Sequence, residues 1–194
     1  MNVLYLIRHG EKQRGQGDPG LSELGLEQAK KTALYLSSFP INAIYSSPSA
    51  RTRETAQIIA ETLRLKVIFD DLLKERMYWD QPDQSFEEFL KEWESASSNP
   101  DFVPRSGNSV RQTAERLNQF ICERRSDGKD KQIVAVTHGG TIRDFLTLLS
   151  EEHKAMFTHR NMEGIHECSI TELSFDSSSI KITSFDEIIH LLVK

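Results

Sequence analysis

Val3-Leu4-Tyr5-Leu6-Ile7-Arg8-His9-Gly10-Glu11 is the stretch that decides the architecture. Asn2–Ile7 is a short apolar run that leads straight into Arg8-His9-Gly10. It lacks the basic n-region and small-residue cleavage site of a signal peptide, so it reads as a first strand. The run stops on a cation, an imidazole and a glycine. In an open α/β sheet, ligands bind beyond the carboxyl ends of the strands, which is where Arg8 and His9 fall. A second segment repeats the design. Gln132–Thr137 is apolar on both faces, as a central parallel strand should be, and leads into His138-Gly139-Gly140.

Outward from these two strands, apolar and amphipathic segments alternate. Leu26, Ala29, Ala33 and Leu36 share one helical face, and Ile41–Tyr45 reads as a strand closed by Ser46-Ser47-Pro48. Ala56, Ile59, Ala60 and Leu63 mark a second helix, followed by a short strand at Leu65–Phe69. Ser85 and Glu88 form a capping-box pattern ahead of Phe86, Phe89, Leu90 and Trp93, which line one face of a helix. Ser95–Gly107 is loop-like, with Pro100, Pro104 and Gly107. Val110, Ala114, Leu117 and Ile121 give a long helix, and Ile142, Phe145, Leu146 and Leu149 another. Ser169–Phe175 and Ile180–Phe185 look like a hairpin around Asp176–Ser179. This order predicts an α/β fold, a three-layer α/β/α sandwich with a mostly parallel central sheet, as a single domain over residues 1–194.

Composition narrows the function classes. The 194 residues suffice for one domain with a real core, and 38% apolar with 27% charged residues is ordinary for a globular protein. No window approaches 18 apolar residues, so no membrane span is expected. Cys122 and Cys168 stand far apart without CxxC spacing and are expected to serve as small buried hydrophobes in a reducing, cytoplasmic setting. A net charge of −5 with no basic run argues against nucleic-acid binding. It also means that any phosphate site must be built locally, from a few arginines.

His9 and His138 occupy equivalent topological positions, each following an apolar strand and preceding glycine. Gly139-Gly140 opens a helix, whose free N–H groups and positive end make a natural anion site beside His138. Arg8 precedes His9 directly, and Arg51 lies just past the Ile41–Tyr45 strand. Guanidinium forks match the three equatorial oxygens of a phosphoryl group in transfer.

Arg8-His9-Gly10-Glu11 resembles the signature of the histidine phosphatase superfamily, the phosphoglycerate mutase-like proteins. Four further segments agree in order and spacing: Leu21–Ala29, Ser46–Ala56, Leu72–Arg76 and Val136–Arg143. The resemblance implies a phosphoglycerate mutase-like fold and a phosphatase with His9 as nucleophile. It implies Glu75 as proton donor and His138 as a second catalytic histidine. Arg8, Arg51 and Gly139 would bind the phosphate. It implies no metal and no cofactor, because cationic side chains neutralise the charge. The expected substrate is a small phosphorylated metabolite, with a phosphoprotein as the second possibility. Glycolytic mutases of the family are longer and cover the site; a chain of this length is similar to the shorter phosphatase branch, where water reaches phospho-His9. Phosphoglycerate mutase-type transfer and a non-catalytic phospholigand-binding regulator on the same fold are the alternatives.

The sequence departs from the family pattern in places. Lys12 stands where many relatives carry threonine, and Gly15 where they carry asparagine, so an extra phosphate contact is either missing or supplied by another group, Arg14 for example. Gly107-Asn108-Ser109 replaces Gly-Glu-Ser, and Ile165–Ile170 lacks an asparagine before the late strand. Gly15-Gln16-Gly17-Asp18-Pro19-Gly20 formally fits GxGxxG, yet the glycines do not follow the strand directly, Pro19 interrupts the turn, and the next strand offers no acid for a ribose. A rim loop near the pocket is the better reading. His153, His159, His166 and His190 show no metal-ligand spacing and are expected to be surface or structural.

Overall fold

The computed structural model describes residues 2–124, 130–149, 164–176 and 178–192. The elements in chain order are β1 (Asn2–Arg8), α1 (Glu23–Leu36), β2 (Ala43–Ser46), α2 (Ala50–Leu63) and β3 (Val67–Phe69). A 3-10 turn at Asp71–Leu73 precedes α3 (Phe86–Ser98), α4 (Val110–Cys122), β4 (Gln132–Thr137) and α5 (Gly139–Leu149). β5 (Ile170–Phe175), β6 (Ile180–Glu187) and a short α6 (Ile189–Leu192) complete the order. His153 and His159 lie outside the described residues.

The six strands form one sheet in the order β3-β2-β4-β1-β5-β6. The β1–β4, β2–β4 and β2–β3 pairs are parallel, and β5 joins β1 and β6 antiparallel. Alternation along the central strands sends side chains to two cores. Leu4, Leu6, Ile133 and Ala135 pack under α4 and α5 with Leu117, Phe120, Ile142 and Leu146. Tyr5, Ile7, Val134 and Val136 pack on the other face with Ala33, Leu36, Ala56 and Ile59 of α1 and α2. This is the expected three-layer sandwich. Its two central strands are buried on both faces, which explains why they lack the polar alternation of a surface strand.

Ser85 and Glu88 make the expected capping box on α3, and Ser109 with Gln112 makes a second one on α4. β2 and β3 each begin two residues later than the apolar runs suggested, at Ala43 and Val67. Leu26 is 37% exposed, so the buried stripe of α1 runs through Ala29, Ala33 and Leu36 without it. Cys168 is buried as expected but Cys122, at the end of α4, is exposed, and both thiols are free. His190 is buried and structural, with Nε2 within 3.1 Å of Thr32 Oγ1 and 3.2 Å of the Cys168 carbonyl. His166 pairs with Asp186 at 2.7 Å. No described helix is long and apolar enough to cross a membrane.

Candidate active site

Ladder hydrogen bonds continue one residue past the strand ends. His9 N donates to Thr137 O at 3.0 Å and Ser47 N to Val136 O at 3.0 Å. These bonds hold the exits of β1, β4 and β2 side by side, so the residues that follow (His9, His138 and Ser47) converge. Strand ends are rigid supports, and rigidity is what a catalytic constellation needs.

His9 is 5% exposed. Its Nδ1 lies 2.7 Å from the Gly10 carbonyl, which can only accept, so Nδ1 carries the proton. The lone pair is then on Nε2, and Arg51 Nε donates to it at 3.1 Å. Burial, with the Arg51 and Arg8 charges behind it, holds His9 well below the usual imidazole range. The ring is therefore neutral, with its free nitrogen facing a guanidinium.

Arg51 enters from the first turn of α2 and is 6% exposed. Its Nη2 donates at 3.0 Å to His138 Nδ1, so the neutral His138 carries its proton on Nε2 and donates it to Ser47 Oγ at 2.9 Å. His138 is fully buried, and burial followed by the Arg51 charge holds it well below its ordinary value. The two imidazoles stand edge to face with centroids 5.3 Å apart. The Ser49 side chain makes no capping bond at the start of α2; Asp18 replaces it, accepting from Ala50 N at 2.9–3.0 Å and standing 3.4 Å from Arg51 Nη1.

Arg8 leaves the end of β1 and crosses Gly139, where a Cβ would stand 3.2 Å from Arg8 Cδ. Its guanidinium donates to the Ile165 carbonyl and, at 2.5 Å, to Glu167 Oε1. Arg8, Arg51 and Gly139 all line one pocket of about 390 Å³ together with His9 and Glu75.

Glu75 is placed by the 71–75 segment, whose carbonyls are gathered by Arg116 of α4. That guanidinium donates to Asp71 O, Leu72 O, Lys74 O and Glu75 O at 3.1–3.3 Å. The Glu75 carboxylate accepts from Arg76 N at 2.8 Å and from Gly140 N at 3.3 Å. It thereby occupies the α5 N-terminus that the sequence marked as an anion site. A Cβ at Gly140 would lie 2.5 Å from Glu75 Oε1, so only glycine admits the carboxylate there. The neighbouring acids are engaged elsewhere: Glu11 accepts from Ser22 Oγ, Asp71 pairs with Lys74, Glu87 with Lys91, and Glu88 caps α3. Asp80 is exposed and outside the pocket lining.

Lys12, and not Arg14, lines the pocket, and burial next to Arg51 and Arg8 holds its ammonium below the ordinary lysine value. Gly15 and Gly17 form part of the rim, as a loop there would. Residues that the sequence did not flag complete the floor. Tyr78 Oη accepts from Glu75 N at 3.0 Å, and Thr55 Oγ1 accepts from Gly10 N at 3.1 Å. Asp18, Ser47, Arg116 and Glu167 join them; each belongs to a loop or helix remote in sequence from its partner.

A nucleophilic nitrogen, two arginines, a second histidine and a carboxylate on one pocket suit phosphoryl transfer. Over residues 4–187 the sequence matches the histidine phosphatase superfamily (branch 1). It is 31% identical over 157 residues to the uncharacterized phosphatase PhoE of Bacillus subtilis (strain 168), covering 77% of this chain and 78% of that one. Phosphoserine phosphatase 1 of Hydrogenobacter thermophilus is 34% identical over 152 residues, 71% of each chain. The solved structure of phosphoserine phosphatase from Entamoeba histolytica, in complex with 3-phosphoglyceric acid, is similar with a TM-score of 0.77 and 28% identity, covering 98% of this chain and 100% of that one. Fold, motif order and relatives converge, and the chain belongs to branch 1 of the histidine phosphatase superfamily, among phosphatases and phosphoglycerate mutases.

Proposed function

We propose that this protein hydrolyses phosphomonoesters of small metabolites through a phosphohistidine at His9. One observation carries the reading: His9 is buried and neutral, with the unprotonated Nε2 turned toward Arg51. In the first step the Nε2 lone pair forms a bond to phosphorus as the phosphorus–oxygen ester bond breaks. Glu75 enters this step in its acid form and gives that proton to the departing alkoxide, which leaves the carboxylate that accepts from Arg76 N and Gly140 N. In the second step Glu75 takes a proton from water, the water oxygen attacks phosphorus, and the N–P bond breaks to release inorganic phosphate. Arg8, Arg51 and His138 hold the non-bridging oxygens, and the positive charge of the two arginines does the work that a metal does in other phosphatases.

Burial and, after it, the Arg51 charge keep His138 neutral, and arrival of a phosphate dianion offsets the charge part of that effect. His138 Nδ1 can then gain a proton and turn from acceptor to donor. Support for a small-molecule substrate comes from the pocket size of about 390 Å³ and from relatives named as phosphoserine phosphatases. The test is a phosphomonoester panel with the purified protein, with and without chelator. Turnover that persists with chelator supports the reading, and a chelator-abolished activity or no turnover on any ester overturns it.

A further inference from the structure

The apolar face of α3 does not enter either core. Ala96 alone of this helix is buried, and Phe86 is 52% exposed. Its aromatic rings instead line the pocket, and together with Trp79 of the preceding segment they form a row. Trp79 and Phe86 have centroids 5.0 Å apart, Phe86 and Phe89 stack at 6.3 Å and 22°, and Phe89 and Trp93 stand 6.1 Å apart. The chain of rings begins at the catalytic carboxylate: a Cβ on Gly140 would meet Glu75 Oε1 at 2.5 Å and Trp93 Cη2 at 2.9 Å. From there it runs outward to Trp79.

The rings are held from behind. The Arg76 guanidinium lies 3.9 Å from the Trp93 ring centroid and is tied to Asp144 and Ser97. Trp79 Nε1 donates to the Gln84 carbonyl at 2.9 Å. With that N–H satisfied within the protein, the Trp79 side chain has no polar atom left to offer a ligand. An apolar wall left open beside a cavity marks a ligand surface. Its position beside the proton donor marks which part of the ligand: the group attached to the departing oxygen.

Charge narrows the occupant. Among the described residues, Glu75 is the only acid in the lining, while Arg8, Lys12, Arg51 and Arg143 are all cationic. A cationic leaving group would meet this field unfavourably, despite the affinity of aromatic cages for ammonium ions. A small polyol would leave the rings wet. We infer that Trp79, Phe86, Phe89 and Trp93 form a leaving-group subsite for a planar aromatic ring that carries no positive charge, so that the preferred substrates are monophosphates of aryl-bearing alcohols. This rests on the phosphatase reading above. It adds a substrate class and assigns four residues to specificity.

The test compares 2-(1-naphthyl)ethyl phosphate with glycerol 1-phosphate and phosphocholine. All three are esters of primary alcohols, so differences in leaving-group chemistry are small. Wild-type kcat/KM should favour the naphthyl ester at least tenfold, and Phe86→Ala and Trp79→Ala should each lower that ratio toward one. The same three ligands are titrated by calorimetry into His9→Ala protein, where the naphthyl ester should bind at least tenfold more tightly. Phe86 sits on an exposed helix face, and Phe86→Leu provides an aliphatic control that fills the site without a ring. An equal or reversed ratio in the titration overturns the subsite, as does a preference for phosphocholine. A binding preference without any turnover sustains the subsite and overturns the phosphatase reading instead.

Discussion

The floor and the side wall of the pocket follow opposite plans. On the floor, His9, Arg51 and His138 are 5%, 6% and 0% exposed, stand at strand ends or in the first turn of a helix, and bond to one another within about 3 Å. On the wall, Phe86 is 52% exposed on a helix with a single buried residue. The floor is held by ladder bonds and two cores, so each polar atom has a fixed partner and little room to change. The wall is three rings on a peripheral helix with Trp79 ahead of it, where one side chain can be exchanged without disturbing a core. Reaction chemistry thus sits on the rigid part and selectivity on the part that tolerates substitution.

That contrast can be broken most forcefully at His9. His9→Ala should reduce turnover by on the order of 10⁴-fold or more, the scale for removing a nucleophile from a concerted set. Steady-state hydrolysis of any phosphomonoester reads it, and residual turnover near the wild-type rate would disperse the floor's role. Glu75→Gln comes next. It should cost about 10²–10⁴-fold on alkyl phosphates. The cost should be much smaller on p-nitrophenyl phosphate, whose leaving oxygen needs little protonation. A loss equal on both esters would mean that Glu75 does not protonate the leaving group.

Arg51→Lys keeps the charge and loses the fork that spans both imidazoles. A loss of about 10²–10³-fold in kcat is expected, on the scale of removing one oriented donor to the transition state. Wall substitutions should act more gently. Phe86→Ala should raise KM for an aryl ester by about 2- to 12-fold, the equivalent of about 0.5–1.5 kcal/mol for one aromatic contact.

The smallest effects should come from pH. His9 and His138 are held below their unfolded value of about 6.5. Below that value the unfolded chain binds protons that the folded chain does not, so this contribution to stability is lost as pH falls. Asp144, pushed up to about 7 by burial, has the opposite sign. The folded chain keeps its proton from about 4 to 7, and that contribution is lost as pH rises. Urea unfolding between pH 5 and 6.5 should therefore show stability rising with pH, and more steeply in Asp144→Asn. For the same reason, the acid limb of kcat/KM set by His9 should lie below the usual imidazole range.

The sequence made the floor legible because its residues follow apolar strands directly. Chain order alone puts His9 after β1 and His138 after β4, and a parallel sheet brings both ends to one edge. Glu75 needed the family resemblance, since it follows a 3-10 turn among several other acids. Asp18, Ser47, Arg116 and Glu167 were not legible, because each meets a partner 33 to 159 residues away through loop geometry that no local pattern encodes. The apolar face of α3 was visible as a face. Periodicity reports that a stripe is apolar, and only the packing reveals that α4 turns its stripe to the core while α3 turns its own to the pocket. Leu26 and Cys122 fail for the same reason, since an apolar position on a helix is buried only where another element covers it.

The central claim is the covalent role of His9. Mixing enzyme with a ³²P-labelled phosphomonoester and quenching within one turnover should trap label that is stable to alkali, labile to acid, and confined to the peptide bearing His9. Label that survives acid, or that maps to another residue, would contradict the claim, and so would rapid hydrolysis with no trapped label together with full activity in His9→Ala.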